Sequence, residues 1–359
     1  MEAILLVGGQ GTRLRPLTID TPKPMLPVGG RPVTEHQIAR ARAAGVERIV
    51  LGTSYRADVF TGWFGDGSRV GVELVYAVEE TPLGTGGAIR NAAEQLRGGP
   101  DDPVLVFNGD ILTGLDIAAL VRRHRSADAD VTLYLTRVAD PRAYGLVPTD
   151  ASGAVRAFLE KPTRDEDIVT DQINAGCYVF RRSVIDAIPA GRPVSVERDV
   201  FPALIESGRR VLGHVDEGYW LDLGRPLDFV RGSADLVLGA VDSPALPGSP
   251  GAALVLTGAH VAADAIVDGG SVVGEGAQVG RGARVSGSVL MDGCVVEDDA
   301  VVEASAVGRG ARIGARAVLR GTVVGSRAVI GADNEVVHGA RVWPDAVIAP
   351  GAIRFSPES

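Results

Sequence analysis

Lysine is nearly absent from this chain. Of its 36 basic residues only Lys23 and Lys161 are lysines, and all the others are arginine. Solvated positive charge is therefore written as Arg, and the two ammonium groups stand apart in Pro-Lys-Pro and Glu-Lys-Pro contexts. A compact point charge suits places where a planar guanidinium fork does not fit, so both lysines are candidate site residues. Cysteine is as scarce. Cys177 and Cys294 lie far apart in apolar contexts without metal-ligand spacing. That argues against a disulfide and against a cysteine metal site, and it points to buried thiols in a reducing cytoplasm. Excess positive charge is missing too. A net charge of −9 argues against nucleic acid as the main partner, and it requires any phosphate site to be a local cationic pocket. Long apolar runs are lacking. The opening run Ala3–Val7 is short and has no charged segment before it, and the uncharged stretch Pro244–Leu256 is broken by Pro and Gly. Neither a signal peptide nor a membrane helix is expected.

What is present begins at Ile4-Leu5-Leu6-Val7, a short apolar run that reads as a buried strand. Gly8-Gly9-Gln10-Gly11 follows at once. Without Cβ atoms, such a loop can turn backbone N–H groups toward an anion at close range. Arg13 then offers a planar fork for phosphate oxygens and Lys23 a mobile charge. The loop is neither a Walker A motif nor a dinucleotide fingerprint, which would need a third Gly where Leu14 stands. From these residues alone, an ordinary strand-to-loop turn with surface cations reads equally well. The rarity of lysine favours a polyphosphate site.

Up to about Leu238, strand-like and helix-like segments alternate. Strands are expected at Ala3–Val7, Arg48–Leu51, Glu73–Ala77, Val104–Phe107 and Val131–Thr136, with helices at Thr34–Ala44, Gly87–Leu96 and Leu115–Arg125. Alternation of this kind predicts an α/β domain, a Rossmann-like and mostly parallel sheet covered by helices, over residues 1–240. Ligands in such sheets lie beyond the carboxyl ends of the strands. The Gly8 loop and Asn108-Gly109-Asp110 should therefore line one edge.

A Pro- and Gly-containing linker, residues 241–252, precedes a change of period. From Val261 an aliphatic residue recurs every six positions through Val267, Val273, Val279 and Val285, and the series continues to Ile348. Three steps, ending at Leu290, Val307 and Val324, are one residue short and lie 17 apart. This is a hexapeptide-repeat β-helix over residues 253–359, with one residue trimmed per coil at a corner. Its exposed sides suit assembly, and a homo-oligomer through the β-helix is expected. Acyl transfer, which such domains also carry, needs a histidine base. Only His260 and His338 are available there, and His338 is read as a surface residue.

The motifs together resemble the sugar-1-phosphate nucleotidylyltransferases. The resemblance rests on Gly8–Thr18 with Pro22–Pro27, on Pro82–Gly87, Asn108-Gly109-Asp110, Phe158–Pro162 and Asn174–Tyr178, and on Trp220–Gly224. The mannose-1-phosphate guanylyltransferase branch is the most similar. That branch implies transfer of a nucleotidyl group from GTP to mannose-1-phosphate, forming GDP-mannose and pyrophosphate. It also implies a left-handed β-helix and Mg²⁺ as cofactor.

The resemblance implies Arg13, Lys23 and Lys161 as catalytic residues. It places Leu6, Gly8, Gly9, Gly11, Thr12, Glu79, Glu80, Pro82, Gly84, Thr85, Asn108 and Asp110 with Arg13 at the nucleotide. Gly145, Glu160, Asn174, Gly176 and Asp222 would join Lys161 at the sugar phosphate, and Asp110 and Asp222 would hold the metal. Glu79 or Glu80 could accept the two adjacent donors of guanine, though each also reads as a solvated loop acid. Asp20, Asp66 and Asp216 read as turn or cap residues. A uridylyl- or thymidylyltransferase acting on glucose-1-phosphate shares the same motifs. A non-catalytic regulatory paralogue has little need of Arg13, Lys23, Asp110, Lys161 and Asp222 together.

Overall fold

The structure, a computed structural model, describes residues 1–54 and 56–354. Its contacts divide it into two compact units, Met1–Gly9 with Gln37–Trp220, and Gln10–His36 with Leu221–Ser359.

The first unit is built on a nine-stranded sheet. Strands Glu73–Val78, Arg48–Thr53, Glu2–Leu6 and Pro103–Asn108 lie side by side and run parallel. Ile4, Val50, Leu105 and Val106 are fully buried, which is why these strands read as continuous apolar runs rather than alternating ones. The expected helices are present as Val33–Ala43, Gly84–Ala93 and Ile117–Ser126. In the last of these, the Asp116 side chain caps the first turn by accepting the Ala119 N–H.

Gln172–Arg181 runs antiparallel between Pro103–Asn108 and Val131–Arg137, making the sheet mixed. Its inward residues Tyr178 and Phe180 pack against Phe201 at 5.2 and 6.0 Å between ring centroids. The chain runs from Glu2–Leu6 outward to Arg48–Thr53 and Glu73–Val78, then returns to the other side of Glu2–Leu6 at Pro103–Asn108. Strand order therefore reverses there, and in sheets of this kind ligands bind beyond the carboxyl ends of the strands at such a switch point.

In the second unit, short strands stack into three parallel sheets of six, six and five strands, consistent with a left-handed β-helix. Early pairs such as Ala253↔Ser271 are 18 residues apart, later ones such as Val272↔Val289 and Val289↔Ala306 are 17, and Val323↔Arg341 returns to 18. The aliphatic series from Val261 to Ile348 forms one core with the small Ala277, Ala283, Ala300 and Ala311. At the trimmed corner sit Ser271, Ser288, Ser305 and Thr322, all buried. The three serine hydroxyl oxygens each accept the N–H of the next rung, Ser271 from Ser288, Ser288 from Ser305 and Ser305 from Thr322, at 3.0–3.1 Å. The shortened corner thus satisfies its buried backbone donors with side chains.

Helix Pro226–Val237 packs on the first coil, where a Cβ on Gly270 would lie 2.8 Å from the Ala234 Cα. Ser233 on the same helix accepts the Gly29 N–H at 3.0 Å, which ties the N-terminal segment to this unit. Among the described residues, no helix is long and apolar enough to cross a membrane.

Candidate active site

The reversal of strand order puts Leu6 and Asn108 in register at the sheet edge. The Gly109 N–H donates to the Leu6 carbonyl at 2.8 Å, so Gly8 and Asn108-Gly109-Asp110 leave the sheet together, as the sequence predicts. A Cβ on Gly109 would collide with that carbonyl oxygen. Gly8 is held from the other side, since the Ser54 hydroxyl donates to its carbonyl at 2.7 Å. A Cβ on Gly9, by contrast, would meet no described protein atom within 4 Å. The fold makes no steric demand for glycine at that position, whereas a phosphate approaching the backbone would.

Glu79 follows the strand Glu73–Val78, and its carboxylate accepts the Leu83 N–H at 3.1 Å. Burial holds its carboxyl above the usual carboxylate range, opposed by that N–H. Glu80 and Pro82 are exposed. Gly84 has φ 68°, and a Cβ there would lie 2.7 Å from the Val194 carbonyl oxygen. The Thr85 hydroxyl donates to Glu197 at 2.6 Å and accepts the Val196 N–H at 2.9 Å. This loop is therefore sewn to the Val194–Glu197 segment, and its glycines let the two segments meet.

On the sugar side, Gly145 pairs with Glu160 across two short strands. A Cβ on Gly145 would fall 2.8 Å from a Glu160 carboxylate oxygen, so glycine there makes room for the acid. The Lys161 ammonium lies 3.2 Å from Glu160 on a largely exposed side chain. Its backbone is left-handed, φ 49°, a conformation uncommon outside glycine and found at functional sites.

The pairing of Gln172–Arg181 with its neighbour shifts register between Asn174 and Tyr178. Such bulges redirect side chains beside active sites. Within this bulge, Asn174 accepts the Gly176 N–H at 3.2 Å and donates to the Tyr178 hydroxyl at 2.8 Å. Cys177 and Tyr178 are core, as their apolar setting suggests, and burial pushes both their pKa values up.

The second unit carries Arg13, Lys23 and Asp222. Gly11 has φ 58°, and a Cβ there would lie 2.7 Å from the Lys23 Cβ, so glycine lets the loop fold over the lysine. Thr18 secures the turn by donating to the Gly11 carbonyl at 2.9 Å. Lys23 is only 8% exposed, and its ammonium lies 3.7 Å from Asp222. A Cβ on Gly224 would fall 3.0–3.1 Å from both Asp222 carboxylate oxygens and from the Arg13 guanidinium. That cradle stays open only because residue 224 has no side chain. Thr12 and Arg13 are exposed.

Among the described residues, no three His, Cys, Asp or Glu side chains cluster as a complete metal cage. Two aspartates suit a hard divalent cation that completes its shell with substrate oxygens and water. The open cradle beside Asp222 fits such a group.

Sequence reading missed the residues that brace the site. The Gln37 amide donates to the Asn108 and Ile111 carbonyls at 2.8 and 3.0 Å, clamping both ends of the Asp110 turn. Ser54 and Glu197 act similarly on Gly8 and Thr85. Their partners are remote in sequence, and no local pattern marks them. Asp66 and Asp216 do serve turns, accepting from Ser68 and Gly218. Asp20 instead lies 3.6 Å from Arg327 of the β-helix.

Residues 2–237 match the nucleotidyl transferase family, and residues 250–352 match the GMPPB C-terminal domain. A mannose-1-phosphate guanylyltransferase of Mycobacterium tuberculosis is 58% identical over 75% of this chain and 74% of its own. A Candida albicans mannose-1-phosphate guanyltransferase is 39% identical over 65% of this chain and 64% of its own. The crystal structure of HddC from Yersinia pseudotuberculosis complexed with GMP-PN superposes with a TM-score of 0.55 at 29% identity. It covers 65% of this chain and 97% of that one. The chain belongs to the nucleotidyl transferase family, on the branch of the mannose-1-phosphate guanylyltransferases.

Proposed function

We propose that this protein makes GDP-mannose from GTP and mannose-1-phosphate. A phosphate oxygen of the sugar attacks the α-phosphorus of GTP, a new P–O bond forms, and the bond to the β-phosphate breaks to release pyrophosphate. The nucleophile is already an anion, so no strong base is required. The protein's work is to hold two anions in line and to neutralise the charge gathering on the leaving group.

The Gly8–Gly11 backbone and Arg13 hold the triphosphate, with Arg13 toward the β- and γ-phosphates. Lys23 bridges the reacting phosphates. Lys161 anchors the sugar phosphate, while Glu160 and Asn174 read the sugar hydroxyls. Nucleotidyltransferases of this family generally use a divalent metal, and we assign it as Mg²⁺ held by Asp110 and Asp222. When bound, it draws charge from phosphate oxygens. Glu79 or Glu80 accepts the N1–H and 2-amino donors of guanine, an arrangement that repels the carbonyl of thymine or uracil.

The catalytic region is residues 1–240, joined through 241–252 to a β-helix, residues 253–359, that serves homo-oligomer assembly. Cys177 and Cys294 are free and buried, which supports a reducing, cytoplasmic setting.

The observation that carries this reading is the joint exit of the Gly8 loop and the Asp110 turn from one sheet edge, bonded through Gly109 and Leu6. The test is pyrophosphate release with Mg²⁺ across panels of triphosphates and sugar-1-phosphates. The highest kcat/KM is expected for GTP with mannose-1-phosphate. A preference for UTP or dTTP overturns the guanylyl assignment.

A further inference from the structure

Gln37 sits in the middle of helix Val33–Ala43, and its amide reaches the turn that carries Asp110. The Nε2 group donates one hydrogen to the Asn108 carbonyl at 2.8 Å and the other to the Ile111 carbonyl at 3.0 Å. Those two carbonyls bracket Gly109 and Asp110. One planar amide, with its two N–H directions fixed by sp² geometry, therefore sets the separation of the two ends of the turn. The arrangement has a cost. Gln37 is only 9% exposed, and its Oε1 is buried with no hydrogen-bond partner among the described residues. A buried acceptor left unpaired disfavours the folded state, and an unbranched apolar side chain of similar length would avoid that. The cavity beside the amide, about 20 Å³ and walled by Ile111, Gly176 and Cys177, has room for a water molecule but not for a second position of the side chain. The amide is thus confined to the two carbonyls it grips.

We propose that Gln37 is a positioning residue for the divalent metal, acting through the Asn108–Ile111 turn on the carboxylate of Asp110. The Leu6 carbonyl holds this turn from the sheet through the Gly109 N–H, and Gln37 holds it from the helix. Gripped on both sides, the backbone under Asp110 is fixed before a metal arrives, so little ordering remains to oppose binding. Groups that orient a metal ligand contribute about 10–100-fold to metal affinity. The orphaned oxygen is the consequence of keeping both donors. The metal part of this inference rests on the reading that Asp110 is a ligand, whereas the grip on the turn does not.

The full chain with saturating GDP-mannose is titrated with Mn²⁺, and unbound Mn²⁺ is counted by electron paramagnetic resonance. Gln37→Met should bind Mn²⁺ at least about tenfold more weakly than wild type. Ser305→Ala, which weakens the β-helix instead, should bind as wild type does, and that separates positioning from a general loss of stability. Wild-type affinity in Gln37→Met, with affinity lost in Asp110→Asn, overturns the role of Gln37. An equal loss in Ser305→Ala also overturns it. Equal binding by wild type and Asp110→Asn overturns the assignment of Asp110 as a ligand and the metal part of the inference with it. A metal-free readout then decides the remainder. Deuterium uptake over residues 108–113 should be faster in Gln37→Met than in wild type, with uptake in the β-helix unchanged. Unaltered uptake over 108–113 overturns the grip of Gln37 on the turn.

Discussion

The Gly109 N–H donates to the Leu6 carbonyl at 2.8 Å, and that bond locks the start of the glycine loop to the turn bearing Asp110. Gly109 and Gly9 lie at the same sheet edge for different reasons. A side chain on Gly109 collides with the Leu6 backbone, whereas one on Gly9 meets no described protein atom. Gly109→Ala should lower the thermal midpoint, at a cost of about 1–3 kcal/mol, and abolish most turnover. Gly9→Ala should leave the midpoint unchanged and reduce kcat/KM for GTP by about 10²-fold through displacement of the triphosphate. Paired melting curves and initial rates check both. Equal destabilisation by the two substitutions would remove the ligand-based reason for Gly9.

Gly224 keeps open the space beside Asp222 and Arg13. A methyl group there stands 3.0–3.1 Å from the carboxylate and the guanidinium, so both must give way by a few tenths of an ångström. Gly224→Ala should therefore require more Mg²⁺ to reach half-maximal rate, with little change in melting. A Mg²⁺ titration at fixed substrates measures this. An unchanged Mg²⁺ requirement would argue against Asp222 as a ligand.

The hydroxyl ladder inside the β-helix carries stability without chemistry. Ser305→Ala removes the acceptor for the buried Thr322 N–H. An unsatisfied buried donor costs about 1–3 kcal/mol. Thermal denaturation should shift down by a matching amount while kcat/KM holds. Ser305→Thr should be mild, because threonine already occupies the equivalent rung at 322.

His124 is buried, and one ring nitrogen lies 3.0 Å from the Thr132 hydroxyl. Burial, reinforced by Arg181 and Arg125, pushes its pKa down to about 4 from 6.5. The unfolded chain then binds a proton that the folded chain refuses. Stability contributed by neutral His124 is complete above pH 6.5 and falls as pH drops from 6.5 toward 4. Urea midpoints across that window should decline with falling pH, and His124→Gln should flatten the decline. An equal slope in the variant would assign the effect to other groups.

The β-helix was written in the sequence almost completely. Each aliphatic from Val261 to Ile348 faces inward for a local reason, the six-residue period, and the 17-residue spacing already recorded the trimmed corner. What periodicity could not show was the hydroxyl ladder filling that corner, since each bond joins residues one coil apart. The same division holds in the α/β unit. Gly8–Gly11, Lys23 and Asn108-Gly109-Asp110 stand out because small or charged groups interrupt apolar runs. The antiparallel placement of Gln172–Arg181 and the bulge at Asn174 depended on strand pairing across the sheet.

Composition and local pattern thus determined the element types, the two architectures and the residues suited to phosphate chemistry. Tertiary structure alone decided which side chains brace them: Gln37 on the Asp110 turn, Ser54 on Gly8, Glu197 on Thr85 and Arg341 on Arg15. The physical reason is sequence distance. A hydrogen bond between residues 46, 71, 112 or 326 apart leaves no periodic trace in the chain, because only folding brings its donor and acceptor within 3 Å.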